Sequence, residues 1–251
     1  MRIFTPPGVF QPRSDTWMLA DAVKTITLDP RAKVLDVCSG SGAVAIAAAA
    51  RGVRSATAID VHRLSAWTAR LNARLNGVRI RALHGDLFEP VRGERFDLIT
   101  ANPPYVPAPP GIEGEKGDRA WNAGSDGRAV IDRLIDQLPD HLSDDGRVLI
   151  VQSSVTGTSE TLERLNAVGL KPSIVQRRRG PLGPILRGRI DYLISEGLIR
   201  GPRLEEEVLV IRGEYARRRA SGVRPVRSGQ PGRVSLLRSV RDAGGGTRAG
   251  A

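Results

Sequence analysis

Residues 97–105, Asp-Leu-Ile-Thr-Ala-Asn-Pro-Pro-Tyr, constrain this chain more than any other stretch. Phe96 to Thr100 is apolar, β-favouring and flanked by polar residues, which predicts a short buried strand. The chain then meets Pro103 and Pro104. Two consecutive prolines fix φ twice and remove two N–H donors, and the first turns Asn102 out of the α region. A strand that runs into such a pair must end in a stiff, extended loop. The carboxyl end of a strand is where open α/β sheets bind ligands. The loop offers the Asn102 amide, backbone carbonyls that a ladder cannot all consume, and the Tyr105 ring. That set can hold a planar –NH2 group, because carbonyl oxygens accept its hydrogens and a ring packs on its plane. Read alone, Asn-Pro-Pro-Tyr is also an ordinary rigid turn, so the rest of the chain has to decide.

Apolar periodicity places further strands over 34–37, 56–60, 79–83, 148–151, 171–175 and 207–211. Helices are predicted over 15–26, 43–50, 63–76, 126–138 and 158–167. Ser14 or Asp15 is the expected N-cap of the first helix. The helix over 63–76 carries Leu64, Trp67, Leu71 and Leu75 on one face, and that over 126–138 turns Val130, Ile131, Leu134 and Leu138 inward. Strands alternating with helices predict an α/β fold: one doubly wound, mostly parallel, seven-stranded sheet in a single domain, residues 1–213. Residues 106–125 form a Pro/Gly-rich loop, long for a compact domain and therefore functional or mobile. Residues 176–203 read as a basic excursion rich in Gly and Pro. From Glu214 onward apolar periodicity vanishes, so 214–251 reads as a basic, disordered tail.

Charge and cysteine usage narrow the class. The formal net charge is +11, and residues 214–251 hold nine arginines against Glu214 and Asp242. Residues 171–203 add eight basic side chains against two acidic ones. These two basic segments offer a nucleic-acid or ribosome contact, or, for the tail, only a solvated end. Cys38 is the one cysteine, so no intrachain disulfide framework exists. The N-terminus has no apolar leader segment, and the longest apolar run, Ala43 to Ala50, is too short to span a bilayer. A soluble, cytoplasmic protein is expected.

Acids and glycines recur at successive strand ends. Asp36-x-Cys38-x-Gly40-x-Gly42 follows the first strand and opens a helix; glycines let the backbone approach a ligand closely, and a helix N-terminus offers free N–H groups. Gly40-x-Gly42-x-x-Ala45 could pass for a dinucleotide fingerprint. Asp36 argues against one, because an acid there repels a pyrophosphate and suits an ammonium group. S-adenosylmethionine carries an amino-acid moiety and no phosphate. Asp60, ending the second strand, can accept both ribose hydroxyls. Asp86, after the third, can accept from the adenine amine with the Leu87 backbone beside it.

These residues carry a resemblance. Asp36-Val-Cys-Ser-Gly-Ser-Gly42, Asp60, Gly85-Asp86-Leu87 and Asn102-Pro-Pro-Tyr105 resemble the motifs of class I S-adenosylmethionine-dependent methyltransferases, which have a Rossmann-like fold. More closely, the chain resembles the HemK-like glutamine methyltransferases that act on translation release factors. Val9-Phe10-x-Pro12-x-x-Asp15-Thr16 is similar to the N-terminal motif of their short forms, and Leu71-Asn72-Ala73-x-x-Asn76-Gly77 and Glu206-Glu-Val-Leu-Val210 also fit. The resemblance spans about residues 9–213. It implies S-adenosylmethionine as cofactor, held by Thr16, Asp36, Cys38, Gly40, Gly42, Asp60, Asp86, Leu87 and Asn102. It also implies catalysis by Asn102, Pro103, Pro104 and Tyr105, a protein substrate such as a release factor, and room for a small partner subunit. Two departures stand out: Cys38 replaces a customary glycine, and the helical N-terminal domain of the bacterial two-domain members has no counterpart before the first strand.

The resulting expectation is a protein-glutamine N-methyltransferase. The Asn102 side chain and the Pro103 carbonyl accept hydrogen bonds from the acceptor –NH2, Tyr105 packs on its plane, and no base is needed before attack. Positioning supplies most of the rate. His62 and His84 read as structural, and Cys38 as a small buried thiol. The rival enzyme reading is methylation of an exocyclic amine in rRNA or DNA by the same loop. Glu113, Glu115 and Asp118 beside the pocket count against it. A non-catalytic RNA-binding module is the third reading.

Overall fold

A computed structural model describes residues 1–111, 121–199 and 204–216. The sheet is built from β1 (Lys33–Val37), β2 (Ser55–Asp60), β3 (Arg81–His84), β4 (Phe96–Ala101), β5 (Leu142–Ser153), β6 (Leu170–Pro181) and β7 (Glu205–Tyr215). Their spatial order is β3-β2-β1-β4-β5-β7-β6. β1 pairs in parallel with β2 and β4, β2 with β3 and β4 with β5, while β7 runs antiparallel to both β5 and β6. The chain leaves β1 toward one edge and returns to place β4 on its other side. The crevice at this reversal opens at the carboxyl ends of β1 and β4.

Side-chain alternation along the central strands divides the core. Leu35, Val37, Ile59 and Ile99 face α4 (Ala129–His141) and α5 (Thr158–Ala167), where they meet Leu134, Ile135, Leu138 and Leu165. Val34, Leu98, Leu149 and Val151 face the opposite layer of α1 (Ser14–Thr25) and α2 (Ala43–Ala49), with Leu19, Val23, Val44 and Ala48. Strands buried on both faces read as continuous apolar runs, which is why β1 and β4 were legible without alternation.

The apolar stripe of α3 (Arg63–Leu75) does not face the core. Leu64 is 43% exposed, Trp67 55% and Leu75 52%. The buried side is Ser65, Ala66, Thr68, Ala69, Asn72 and Ala73. Close packing is the reason: a Cβ added at Gly42 would lie 2.7 Å from the Ala69 Cβ, so this contact admits only small residues.

Several boundaries differ from expectation. α1 begins at Ser14, and neither Ser14 nor Asp15 caps it, because Arg13 occupies that position. α4 starts after Gly127 and Arg128 and continues past Pro139. Val130 is only partly buried there, while Ile131, Leu134 and Leu138 are fully buried. The basic excursion is largely ordered. β6 continues to Pro181, and Arg177 and Arg179 pair across the ladder with Glu207 and Glu205 at 3.4 and 2.7 Å. Two short helices follow, α6 (Pro184–Arg187) and α7 (Ile190–Ser195), and Leu182, Leu186 and Leu193 pack with Val106 and Val155. β7 continues through Glu214 and Tyr215, two residues past the expected domain boundary. The remainder of the expected tail, 217–251, lies outside the described residues, as do Glu113, Glu115 and Asp118. The ends of the 106–125 loop are tied together: Val106 N–H donates to the Trp121 carbonyl and Ala123 N–H to the Val106 carbonyl.

Candidate functional site

A cavity of about 620 Å³ occupies the crevice at the strand ends. Cys38, Gly40, Asp60, Asp86 and Leu87 line one end; Asn102, Pro103, Pro104, Tyr105, Arg178 and Glu206 line the other. Thr16, Asp36 and Gly42, expected to touch a cofactor, stand behind this wall.

Asp60 is the best-placed acid. It ends β2, is 9% exposed, and its two oxygens accept from Gly40 N–H at 2.8 Å and His62 N–H at 2.9 Å. A carboxylate has about four acceptor sites, so each oxygen keeps capacity toward the cavity. Two adjacent acceptors fixed by backbone donors match a vicinal diol such as a ribose. Gly40 has φ +51° and carries Phe10 at 3.5 Å from where its Cβ would be, so the N-terminal segment closes over the loop. Asn72 and Asn76 hold that segment in place. The Asn72 amide bridges the Phe4 N–H and carbonyl at 2.9 and 2.8 Å, and Asn76 does the same for Arg2 at 2.8 and 2.6 Å. Phe10 packs edge-on against Trp121, over which Arg13 lies 4.7 Å from the ring centre.

Asp36 is a brace. It is 2% exposed, accepting from Thr100 Oγ1 at 2.7 Å and Ala45 N–H at 3.2 Å. It ties β1, β4 and the start of α2 together under the glycine loop. Burial pushes its carboxyl up from 3.8 to about 7 against the pull of those two donors, with Asp60 adding to the rise. Gly42 serves packing, through its φ of +82° and its contact with Ala69. Asp86 does line the cavity, but Arg133 pairs with it from α4. Cys38 and Leu87 both hold positive φ, +57° and +47°, unusual for side chains other than glycine. Cys38 is only partly buried and lines the cavity, and desolvation there, with Asp60 nearby, pushes its thiol well above the usual range, which favours the protonated form. His62 borders the cavity with its backbone bound to Asp60, and His84 is exposed at the end of β3.

The Asn-Pro-Pro-Tyr loop leaves β4 as expected, with both flanking side chains anchored to α1. Asn102 Nδ2 donates to Thr16 Oγ1 at 3.1 Å, and the Tyr105 hydroxyl donates to Asp15 Oδ2 at 2.8 Å. Burial, then Asp15, raises the Tyr105 phenol well above its usual range, so it remains a donor. Gly127 backs the loop: a Cβ there would come within 2.5 Å of the Tyr105 carbonyl. At this end the wall continues through Pro181, Pro184, Ile185 and Leu186. Sequence reading missed Phe10, Asp15, Trp121, Gly127, Arg178 and Glu206. Phe10, Asp15 and Glu206 lay within quoted motifs but without these roles, the partner of Asp15 being 90 residues away, and Arg178 was counted only as one of a basic run.

Comparison with known proteins adds relatives in sequence and in fold. The family model described as "Methyltransferase small domain" matches residues 1–112. A protein of Methanocaldococcus jannaschii named for protein N5-glutamine methylation is 36% identical over 184 residues, covering 72% of this chain and 90% of that one. A release factor glutamine methyltransferase of Geobacter sulfurreducens is 28% identical, covering 73% of this chain and 66% of its own. Among solved structures, the E. cuniculi Mtq2–Trm112 complex, described as methylating the translation termination factor eRF1, superposes with a TM-score of 0.58. Identity is 22%, with 83% of this chain and 99% of that one covered.

Proposed function

Because the chain belongs to the HemK-like family of class I S-adenosylmethionine-dependent methyltransferases, we propose that it methylates a glutamine side-chain amide in a protein, a translation release factor first among candidates. The enzyme class and its cofactor follow from the family. S-adenosylmethionine, when bound, supplies a methyl group on a good leaving sulfur. The acid-and-glycine end of the cavity fits it: Asp60 would hold the ribose hydroxyls, with Asp86 and Leu87 toward the adenine. Asn102 would occupy the boundary between cofactor and acceptor.

The observation that carries the reading is the commitment of Asn102 Nδ2 to Thr16. With one N–H engaged there, Asn102 keeps Oδ1 as an acceptor, and from its place in the cavity wall this oxygen would accept from an amide –NH2. That hydrogen bond and one to the Pro103 carbonyl would pull the nitrogen lone pair out of resonance and aim it toward the cofactor end. Asn102→Ala should lower kcat/KM for a release factor about 10²–10³-fold while leaving cofactor affinity nearly unchanged. Radiolabelled methyl transfer and calorimetry read the two effects. Full activity of the variant would remove Asn102 from the reaction.

Within the basic 171–203 segment, Arg177 and Arg179 are matched by Glu207 and Glu205, which weakens that segment's support for the nucleic-acid reading. A small partner subunit remains part of the proposal, by analogy with the Mtq2–Trm112 complex. The exposed Val61, Leu64, Trp67 and Leu75 beside the edge strand β3 offer an apolar face for one. Among the described residues no helix is long and apolar enough to cross a membrane.

A further inference from the structure

We propose that Asp15 is a positioning residue that sets which way round Asn102 presents its amide. The inference rests on the methyl-transfer reading above and concerns how that site is aligned. Asn oxygen and nitrogen are told apart only by their hydrogen-bond partners, so the question is what forces one orientation.

Asp15 is 8% exposed and Thr16 6%, and both sit in the first turn of α1. Asp15 Oδ1 accepts from Thr16 N–H at 2.7 Å and from Thr16 Oγ1 at 3.3 Å. The oxygen that takes the Thr16 N–H acts as an acceptor toward Thr16. The Thr16 hydroxyl hydrogen is therefore directed at Asp15, and Thr16 Oγ1 presents only a lone pair to its other neighbour. That neighbour is Asn102, 3.1 Å away. The match is complete only when Asn102 offers Nδ2 to Thr16 and keeps Oδ1 for the cavity. The second Asp15 oxygen takes the Tyr105 hydroxyl at 2.8 Å. One carboxylate thus aligns both ends of the Pro103–Pro104 pair: Tyr105 directly, and Asn102 through the threonine hydroxyl.

The relay has a direction. Asp15→Ala removes the oxygen that takes both the Thr16 N–H and the Thr16 hydroxyl. The threonine hydroxyl is then released to donate to Asn102 Oδ1, turning the Asn102 –NH2 toward the acceptor –NH2, donor against donor. Thr16→Val removes the relay, and Thr16→Ser keeps it.

The test uses the full chain in two assays. In ¹⁵N-labelled protein, the Asn102 side-chain –NH2 resonances, assigned by their loss in Asn102→Ala, report the hydrogen bond with no acceptor present. They should move in Asp15→Ala and Thr16→Val and stay in Thr16→Ser. With purified release factor, kcat should fall about 10²-fold in Thr16→Val and at least as far in Asp15→Ala, no further in the double variant than in Asp15→Ala, and recover in Thr16→Ser. Unmoved Asn102 resonances in both relay-breaking variants would overturn the proposal. So would additive losses that track melting temperature. A wild-type protein inactive on release factor would sink that substrate instead, leaving the resonance test of Asp15 standing.

Discussion

Asparagine in place of Asp36 should flatten the pH dependence of folding between pH 5.5 and 8. The folded carboxyl holds its proton up to about pH 7, whereas its ordinary value is 3.8. Between those values the folded chain binds more protons than the unfolded one, so stability falls as pH rises. The contribution is present in full below pH 3.8 and is lost progressively up to about pH 7. Above that both states are ionised and the slope ends. At about 1.4 kcal/mol per pH unit, the stretch from 5.5 to 7 amounts to about 2 kcal/mol. Urea unfolding of both proteins at pH 5.5 and 8 measures it, with the two m-values required to agree. The wild type should lose about 2 kcal/mol more than Asp36→Asn on going to pH 8. Asparagine can still accept from Thr100 but turns an –NH2 toward Ala45 N–H. That mismatch shifts the variant's stability by a constant at every pH and leaves the slope untouched. Parallel profiles would refute the reasoning. They would mean that the Thr100 and Ala45 donors outweigh burial, and that a negative charge sits under the glycine loop at neutral pH, ready for a cofactor ammonium.

Asp60→Ala should weaken S-adenosylmethionine binding by about 1.5–3 kcal/mol, the cost of losing hydrogen bonds to a charged acceptor; calorimetry showing wild-type affinity in a folded variant would exclude Asp60. Gly42→Ala should destabilise the fold by roughly 2–4 kcal/mol, since the new Cβ meets Ala69 and the residue must hold a left-handed φ; chemical denaturation measures it, and a loss under about 1 kcal/mol would show that α2 and α3 separate freely. Trp67→Glu should change the stability of the isolated chain by at most about 0.5 kcal/mol, as expected of an exposed side chain away from any cap or network, while lowering retention of a small partner subunit; a large drop in melting temperature would show that Trp67 packs on this chain.

The strand ends were legible because their chemistry is local. Asp60, Asp86 and the Asn102 loop each follow an apolar run within a residue or two, so spacing along the chain equals position in the crevice. The roles of Asp36 and Gly42 were not, since each is decided by a neighbour across the fold. Thr100 and Ala45 take both oxygens of Asp36, and Ala69 fills the space above Gly42. The α3 stripe misled for a related reason. Periodicity identifies an apolar face but not what it meets, and here the buried face is made of small or polar side chains, Ser65, Ala66, Thr68, Ala69, Asn72 and Ala73.

The proline-loop end of the cavity was the least legible, because it is assembled from segments far apart in sequence. α1 supplies Asp15 and Thr16, β4 ends in the proline loop, and β6 and β7 bring Arg178 and Glu206 to the same cavity. Glu206 accepts from Ser153 Oγ at 2.5 Å and Gly183 N–H at 2.7 Å, fixing the turn after β6 against the end of β5. Arg178 points the other way from Arg177 and Arg179, as strand alternation requires, and reaches Ser14 at the cavity rim. The Arg-Arg-Arg run that reads as one basic patch is therefore two surfaces. Its outer pair is matched by the β7 glutamates, and its middle member faces the site. Charge counted along a strand overstates a nucleic-acid footprint whenever the neighbouring strand carries the complement.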